Sequence, residues 1–416
     1  MMLSIKKILL FFVFLSSYTV YGQQIMNLEQ ILAEINTNNP SLKAYASRIQ
    51  SKDAKVEGAG SWMAPMVGAG TFMSPYPGQG MIADGDRGAF MISAEQGIPN
   101  PAKIKAKKEY LKTQSMTDEL GRNERFNQLR SGAKNLYFGL LVAKKRMVFQ
   151  KENQQIMKTM KKLAEIRYPF NQGALNQVFK AEGRVYESEN MILMTEAEIR
   201  SKKIALNALM NRLPASDFDI DTEYQLRFIP KADLDTAYLA GSRSDILHME
   251  HDIDAMEKNI DLMRQEAKPE FKIRFDHMSN YSAMMPRQFT VMGMLSIPIA
   301  PWSSKMYKSE IKSMNFEREA MRQEKSAMLT EIFGMSKSME NDLANMQQQL
   351  INYETKILPS LEKYLKVTML SYQENKSDLN TVIDGWEAIN MSQMNYLNQL
   401  EKYYQMIVEY EKNIER

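Results

Sequence analysis

The sequence has no cysteine. That excludes disulfides, thiolate metal sites, a cysteine nucleophile and a lipid-modified N-terminal cysteine. Histidine is scarce too, with three in 416 residues. Neither sign of charge dominates: 53 Lys+Arg against 50 Asp+Glu leave a net +3. No polyanion is therefore implied as a partner, and no nucleic acid is expected. Beyond the N-terminal segment, no stretch approaches the ~20 apolar residues of a transmembrane helix. A membrane role would have to rest on β-strands, whose signal per segment is much weaker. No phosphate loop, nucleophile elbow, HExxH or CxxC occurs, so neither enzymatic chemistry nor a cofactor is expected. With 44% hydrophobic and 25% charged residues the chain is a folded one, not a disordered one. Its one excess is methionine, at 34 residues.

Lys6 and Lys7 precede the apolar run Ile8 to Leu15, and Val20-Tyr21-Gly22 offers a cleavage site. Residues 1–22 read as a secretory signal peptide. Proline is absent between Pro101 and Pro169, a stretch worth on the order of 100 Å of continuous helix. Within it Phe126, Leu129, Ala133, Leu136, Leu140, Ala143 and Met147 recur at steps of three and four. Tyr396, Leu400, Tyr403, Ile407, Tyr410 and Ile414 do the same. Such seams predict long helices packed as coiled coils.

Two islands interrupt the helices, roughly 64–99 and 269–298, and both read as β-hairpins. Phe271 to His277 and Phe289 to Ile297 alternate with period two, which predicts a sheet with one apolar and one polar face. The islands are copies of one another. Pro65 and Pro269 lie 204 residues apart, and so do Tyr168 and Tyr372. Tyr168-x-x-Asn171-x-x-x-Leu175-Asn176-x-Val178 matches Tyr372-x-x-Asn375-x-x-x-Leu379-Asn380-x-Val382 at that same offset. The chain thus reads as a tandem duplication. Residues 23–212 form the first repeat, 213–232 a joint, and 233–416 the second repeat, with helical turns at about 168–175 and 372–379.

Each chain supplies about four strands, whereas a membrane barrel needs at least about eight. An open edge in lipid would leave backbone groups unpaired at several kcal/mol each, so a membrane barrel would need several chains. A soluble coiled-coil rod with β caps is the alternative on these residues alone.

Taken together, the repeat, Leu295-Ser-Ile-Pro298, Pro359-Ser-Leu-Glu-Lys-Tyr-Leu and the Tyr372-x-x-Asn375 turn resemble the TolC-type outer-membrane efflux family across nearly the whole mature chain. The resemblance implies a mainly α protein with a small membrane β part. It implies a homotrimer with a long α-helical barrel and a 12-stranded β-barrel, in the outer membrane with its helices in the periplasm. It also implies a periplasmic adaptor and an inner-membrane transporter of the RND type as partners, with outer-membrane lipid around the barrel. The expected role is a passive exit duct of a tripartite efflux pump. An exit for a protein secretion system on the same scaffold, or a soluble periplasmic coiled coil, are the other readings.

The family's usual turn glycine is replaced by Asn171 and Asn375, and asparagine is the residue that best tolerates the left-handed conformation after glycine. The adaptor is expected on Asn171, Gln172, Gly173, Ala174 and Leu175, and on Asn375, Lys376, Ser377, Asp378 and Leu379. By the resemblance, the periplasmic gate falls on Thr381 and Asp384, of which only Asp384 keeps a carboxylate. His248 and His251, with Asp245 before them, have a spacing that could hold a metal but read as an exposed helix face. Methionine thioethers suit Cu(I) and Ag(I), yet many of these methionines sit on helical seams, where they fill space. Met292 and Met294 differ, falling on the polar register of their strand, and are the metal-contacting candidates for a copper or silver cargo.

Overall fold

The computed structural model describes residues 25–80, 83–170, 173–298 and 300–415. The expected signal peptide lies outside these residues, as do Asn171 and Gln172. In chain order the elements begin with β1 (Ile25–Met26), α1 (Leu28–Asn38), α2 (Pro40–Gly58), β2 (Met66–Phe72) and β3 (Ala89–Ile98). Then come α3 (Pro101–Arg167), α4 (Leu175–Met210), β4 (Asp219–Ile220), α5 (Thr236–Ser242) and α6 (Ser244–Gln265). The chain closes with β5 (Phe271–Asn280), β6 (Gln288–Leu295), α7 (Pro301–Asn352), α8 (Leu358–Gln373) and α9 (Leu379–Asn413). The proline-free stretch is one helix, α3, of 67 residues.

Two compact units share the chain. The first holds residues up to Leu42, Arg125–Leu234 and the chain from Phe333 onward; the second holds Lys43–Glu124 and Asp235–Ile332. Each sequence repeat therefore supplies segments to both units.

In the first unit the seam residues are inside. Ala133, Leu140 and Ala143 on α3 are buried, as are Leu400, Tyr403, Ile407 and Tyr410 on α9. Met157, Met160, Val178, Leu365, Tyr372, Leu379, Val382 and Trp386 join α3, α4, α8 and α9 in one apolar cluster. Burying a side chain of this size contributes about 1.5–3 kcal/mol, so the cluster is what holds the four helices together. Trp386 donates its indole N–H to the Asn153 carbonyl at 3.0 Å, which satisfies the one polar atom it carries inside. The joint between repeats is strapped on by tyrosine hydroxyls. Tyr403 accepts from the Phe228 N–H at 3.3 Å, and Tyr410 accepts from the Lys231 N–H at 3.0 Å. A two-residue parallel pair, Ile25 with Asp219 and Met26 with Ile220, also ties the joint down, a feature too short to show as a sequence period.

The second repeat differs from the first by a π-turn at Tyr353–Ile357, between α7 and α8. Proline has no N–H to continue the helical ladder. Just ahead of Pro359, the Leu358 N–H reaches the Tyr353 carbonyl five residues back. The first repeat has no proline there and continues as one helix.

The second unit carries a four-stranded antiparallel sheet in the order β2-β3-β5-β6. The two hairpins meet through β3 and β5, paired over ten residues from Ala89 with Asn280 to Ile98 with Phe271. The closing strand ends at Leu295 rather than running on to Ile297, and the Ser296 N–H still bonds the Glu270 carbonyl at 2.9 Å. Among the described residues, β2 and β6 have no strand partner on their outer sides.

Candidate functional site

The sheet sorts its side chains by the pairing register. One face carries Phe90, Ile92, Phe271, Ile273, Phe275, Phe289, Val291 and Leu295, all exposed. Phe275 and Phe289 stack there with ring centroids 6.1 Å apart. The other face carries Glu95 opposite Arg274, Ser93 opposite Asp276, and Gly97 opposite Lys272. Its charges are paired internally, Lys272 with Glu95 at 3.1 Å and Arg274 with Asp276 at 2.9 Å. An apolar face left open beside a polar face without net charge is the reverse of a soluble sheet. It is the pattern of a strand set with lipid on one side and water on the other.

Dimensions agree. Strands of ten residues, as β3 and β5 are, extend roughly 34 Å and, tilted by about 40°, rise close to the ~25 Å apolar band of a membrane barrel. Aromatic side chains mark both ends. Trp62 ahead of β2 and Trp302 after β6 are 60% and 86% exposed; at the turn ends Tyr76 and Tyr281 are 79% and 51% exposed. Exposed Trp and Tyr flanking a strand set at both ends are what membrane interfaces favour. None of these four residues stood out in the sequence, because their placement is spatial and has no sequence period. Met292 lies across from Arg274 and Met294 across from Lys272, on the polar face. Among the described residues no helix is long and apolar enough to cross a membrane.

The second helical turn is built in the first unit. Asn375 takes φ 58°, the left-handed conformation, in the departure from glycine noted above. The Lys376 N–H bonds the Ser371 carbonyl at 2.8 Å, closing the end of α8. Asp378 then caps α9, accepting from the Thr381 N–H at 3.0 Å and the Thr381 hydroxyl at 2.7 Å. The backbone bond from Thr381, then its hydroxyl, hold the Asp378 carboxyl below the usual range. In the first turn Gly173 is half-buried while Ala174 and Leu175 are exposed, and Ala174 caps α4 with no side-chain bond.

Of the two gate candidates, Thr381 is engaged in that cap and Asp384 is exposed on α9 one turn further. Sequence reasoning missed Arg167. This residue ends α3, is 8% exposed, and donates from Nη1 to the Tyr372 carbonyl at 2.6 Å and from Nη2 to the Gln373 carbonyl at 2.8 Å. Its guanidinium lies over the Tyr372 ring, 4.4 Å from the centroid. Arg167 thereby ties the end of the first helical hairpin to the end of the second, 205 residues on. Only its place just before Tyr168 could have drawn attention to it.

The histidine pair has other neighbours than its spacing suggested. Asp245 pairs with Arg243, while His248 meets Glu124 at 3.1 Å and Asp252 at 3.8 Å. Burial pushes the Asp252 carboxyl up, against the pull of both histidines. Among the described residues no group of three or more His, Asp or Glu side chains could hold a metal.

No protein-family model and no curated protein matches the chain by sequence. Solved structures do match in three dimensions. The outer-membrane channel OprN superposes with a TM-score of 0.74 at 15% identity, over 93% of this chain and 89% of its own. CusC, described as forming a transmembrane channel, gives 0.74 at 15% identity over 96% and 95%. The outer-membrane protein VceC of Vibrio cholerae gives 0.73 at 14% identity over 93% and 95%. The fold is that of the TolC-type outer-membrane channels. Within this TolC-type fold, the mainly helical chain with a four-stranded sheet is as the sequence led us to expect. The TolC-type helical turn, for its part, keeps its left-handed residue with asparagine in place of glycine.

Proposed function

We propose that this protein is the outer-membrane channel of a tripartite efflux assembly, a passive duct from periplasm to exterior with no chemistry of its own. One observation carries the reading: a sheet whose apolar face is exposed and whose outer strands β2 and β6 are unpartnered. In lipid, unpaired edges cost several kcal/mol per backbone group, and pairing β2 of one copy with β6 of the next removes them. Three copies would close a barrel of about twelve strands, within the range of membrane barrels. The polar face would line the lumen. The helical turns would meet a periplasmic adaptor that links the duct to an inner-membrane transporter. An exit for protein secretion uses the same geometry, and the genes neighbouring this one would separate the two cargoes.

The test is assembly and conductance. The purified protein should require detergent, run as a trimer and form pores in planar bilayers. A monodisperse, water-soluble monomer would sink the reading.

A copper or silver cargo is a narrower proposal. It rests on the methionine content and on Met292 and Met294, whose neighbours Arg274 and Lys272 are neutralised by Asp276 and Glu95. Thioethers bind such ions softly, and weak sites suit a conducting pore. Replacing both methionines by leucine should lower copper or silver resistance while leaving trimers and tolerance of organic toxins unchanged. Unchanged metal resistance would leave the two as packing residues.

A further inference from the structure

We propose that a pocket beside the second helical turn is a carboxylate-binding site, shaped to take an aspartate or glutamate side chain of the protein that docks there. The inference rests on the adaptor reading above and adds the chemistry by which the partner is held.

Three observations carry it. First, Arg167 is a buried cation without a counter-ion. Its partners are two backbone carbonyls and an aromatic face, and among the described residues no carboxylate lies within ion-pair distance. Buried charges are ordinarily paired, because desolvating a lone one costs several kcal/mol. The two carbonyls engage only two of the five N–H donors of a guanidinium.

Second, Tyr372 is 2% exposed, and among the described residues its hydroxyl donates to no acceptor. Burial pushes the phenol up against an opposing pull from Arg167, so it keeps its proton at neutral pH and has a hydrogen to give. Arg167 is itself a donor and cannot receive that hydrogen.

Third, both residues line an open cavity of about 630 Å³, together with Gly173, Gln177, Asn375 and Lys376. The acid at its edge, Asp378, is occupied by the Thr381 cap, and Lys376 is paired with Glu374 at 2.6 Å on the surface. The pocket therefore presents the Arg167 and Tyr372 donors, and its one lining acid, Asp378, already points its acceptor at Thr381. A carboxylate fits that demand, bidentate on the guanidinium with the phenol as a third donor. The cavity opens at an exposed turn, so the acid must arrive on a projecting side chain.

The probes are acetyl-Gly-Glu-Gly-amide and its glutamine counterpart, titrated calorimetrically into the full-length protein in detergent. The glutamate peptide should bind about tenfold more tightly, the effect of one charge-assisted hydrogen bond. Arg167→Gln should erase that preference. Arg167→Lys, which keeps the charge and serves if the glutamine variant fails to fold, should retain part of it. Tyr372→Phe should weaken glutamate binding about fivefold while keeping the aromatic ring that Arg167 lies over. Equal affinity of the two peptides for the wild type overturns the site. So does dissociation of trimers by Arg167→Gln, which would mean that the acid comes from a second copy. Bilayer conductance on the same samples separates the failures: a conducting trimer without glutamate preference removes the pocket and leaves the duct standing.

Discussion

Asn375 shows how one residue decides the second helical turn. A left-handed conformation costs a residue with a β-carbon roughly 1–2 kcal/mol, and a β-branched one most. Asn375→Val should therefore lower the melting temperature by a few degrees and impair adaptor-dependent transport, while Asn375→Gly should do neither. Equal behaviour of the two variants would show that the backbone at φ 58° is not what matters there. Asp378, three residues on, has a carboxyl held below the ordinary range. Its contribution is present above the carboxyl's unfolded value and is lost only as pH falls through the still lower folded one. The cap therefore stays intact through mildly acidic conditions. Both residues belong to a pattern visible in the sequence. Arg167 does not, since its partners are two carbonyls and a ring 205 and 206 residues away.

At the scale of elements, the two repeats serve as controls for each other. Tyr168 and Tyr372 occupy the same motif position, yet the first is 44% exposed and the second 2%. Leu175 and Leu379 divide the same way, at 43% and 0%. The helix caps differ as well. Ala174 and Asp378 start α4 and α9 with nearly the same backbone, φ −96° ψ 143° and φ −92° ψ 165°, but only Asp378 has an oxygen to accept from the first turn. Ala174→Asp should supply the missing cap and stabilise the protein by about 1 kcal/mol. A thermal melt of the trimer checks it, and an unchanged or lower midpoint would mean that α4 gains nothing from capping. The π-turn ahead of Pro359 is the third asymmetry and has a plain local cause in the missing proline N–H.

For the whole molecule, the proposed duct would need a part that opens and closes it. Asp384 is exposed on α9, one turn beyond the cap, free of the apolar cluster that holds Val382, Ile383 and Trp386. An acid in that position can line a constriction, and in a symmetric trimer it would recur as a ring of three. Asp384→Ala should then raise ion leakage through the resting channel in planar bilayers, with trimers unaffected. Unchanged conductance would remove Asp384 from the gate. Thr381 is the weaker lever, because its hydroxyl is already bonded to Asp378 at 2.7 Å.

The sequence by itself determined the element types, the duplication and the two faces of the sheet. These depend on local periods: three and four along a helix, two along a strand, and proline or asparagine where the backbone must turn. Phe271, Ile273 and Phe275 share a face whatever lies beyond them, because alternation along one strand is a property of that strand. Tertiary structure alone decided which residues meet. Arg274 stands opposite Met292, Trp62, Trp302, Tyr76 and Tyr281 are left exposed beyond the strand ends, and Tyr372 is buried where its copy Tyr168 is not. Each of these follows from which segments come together, through register and packing. Two copies of one motif carry the same local instructions, and the neighbours each copy packs against turn one tyrosine inward and leave the other in water.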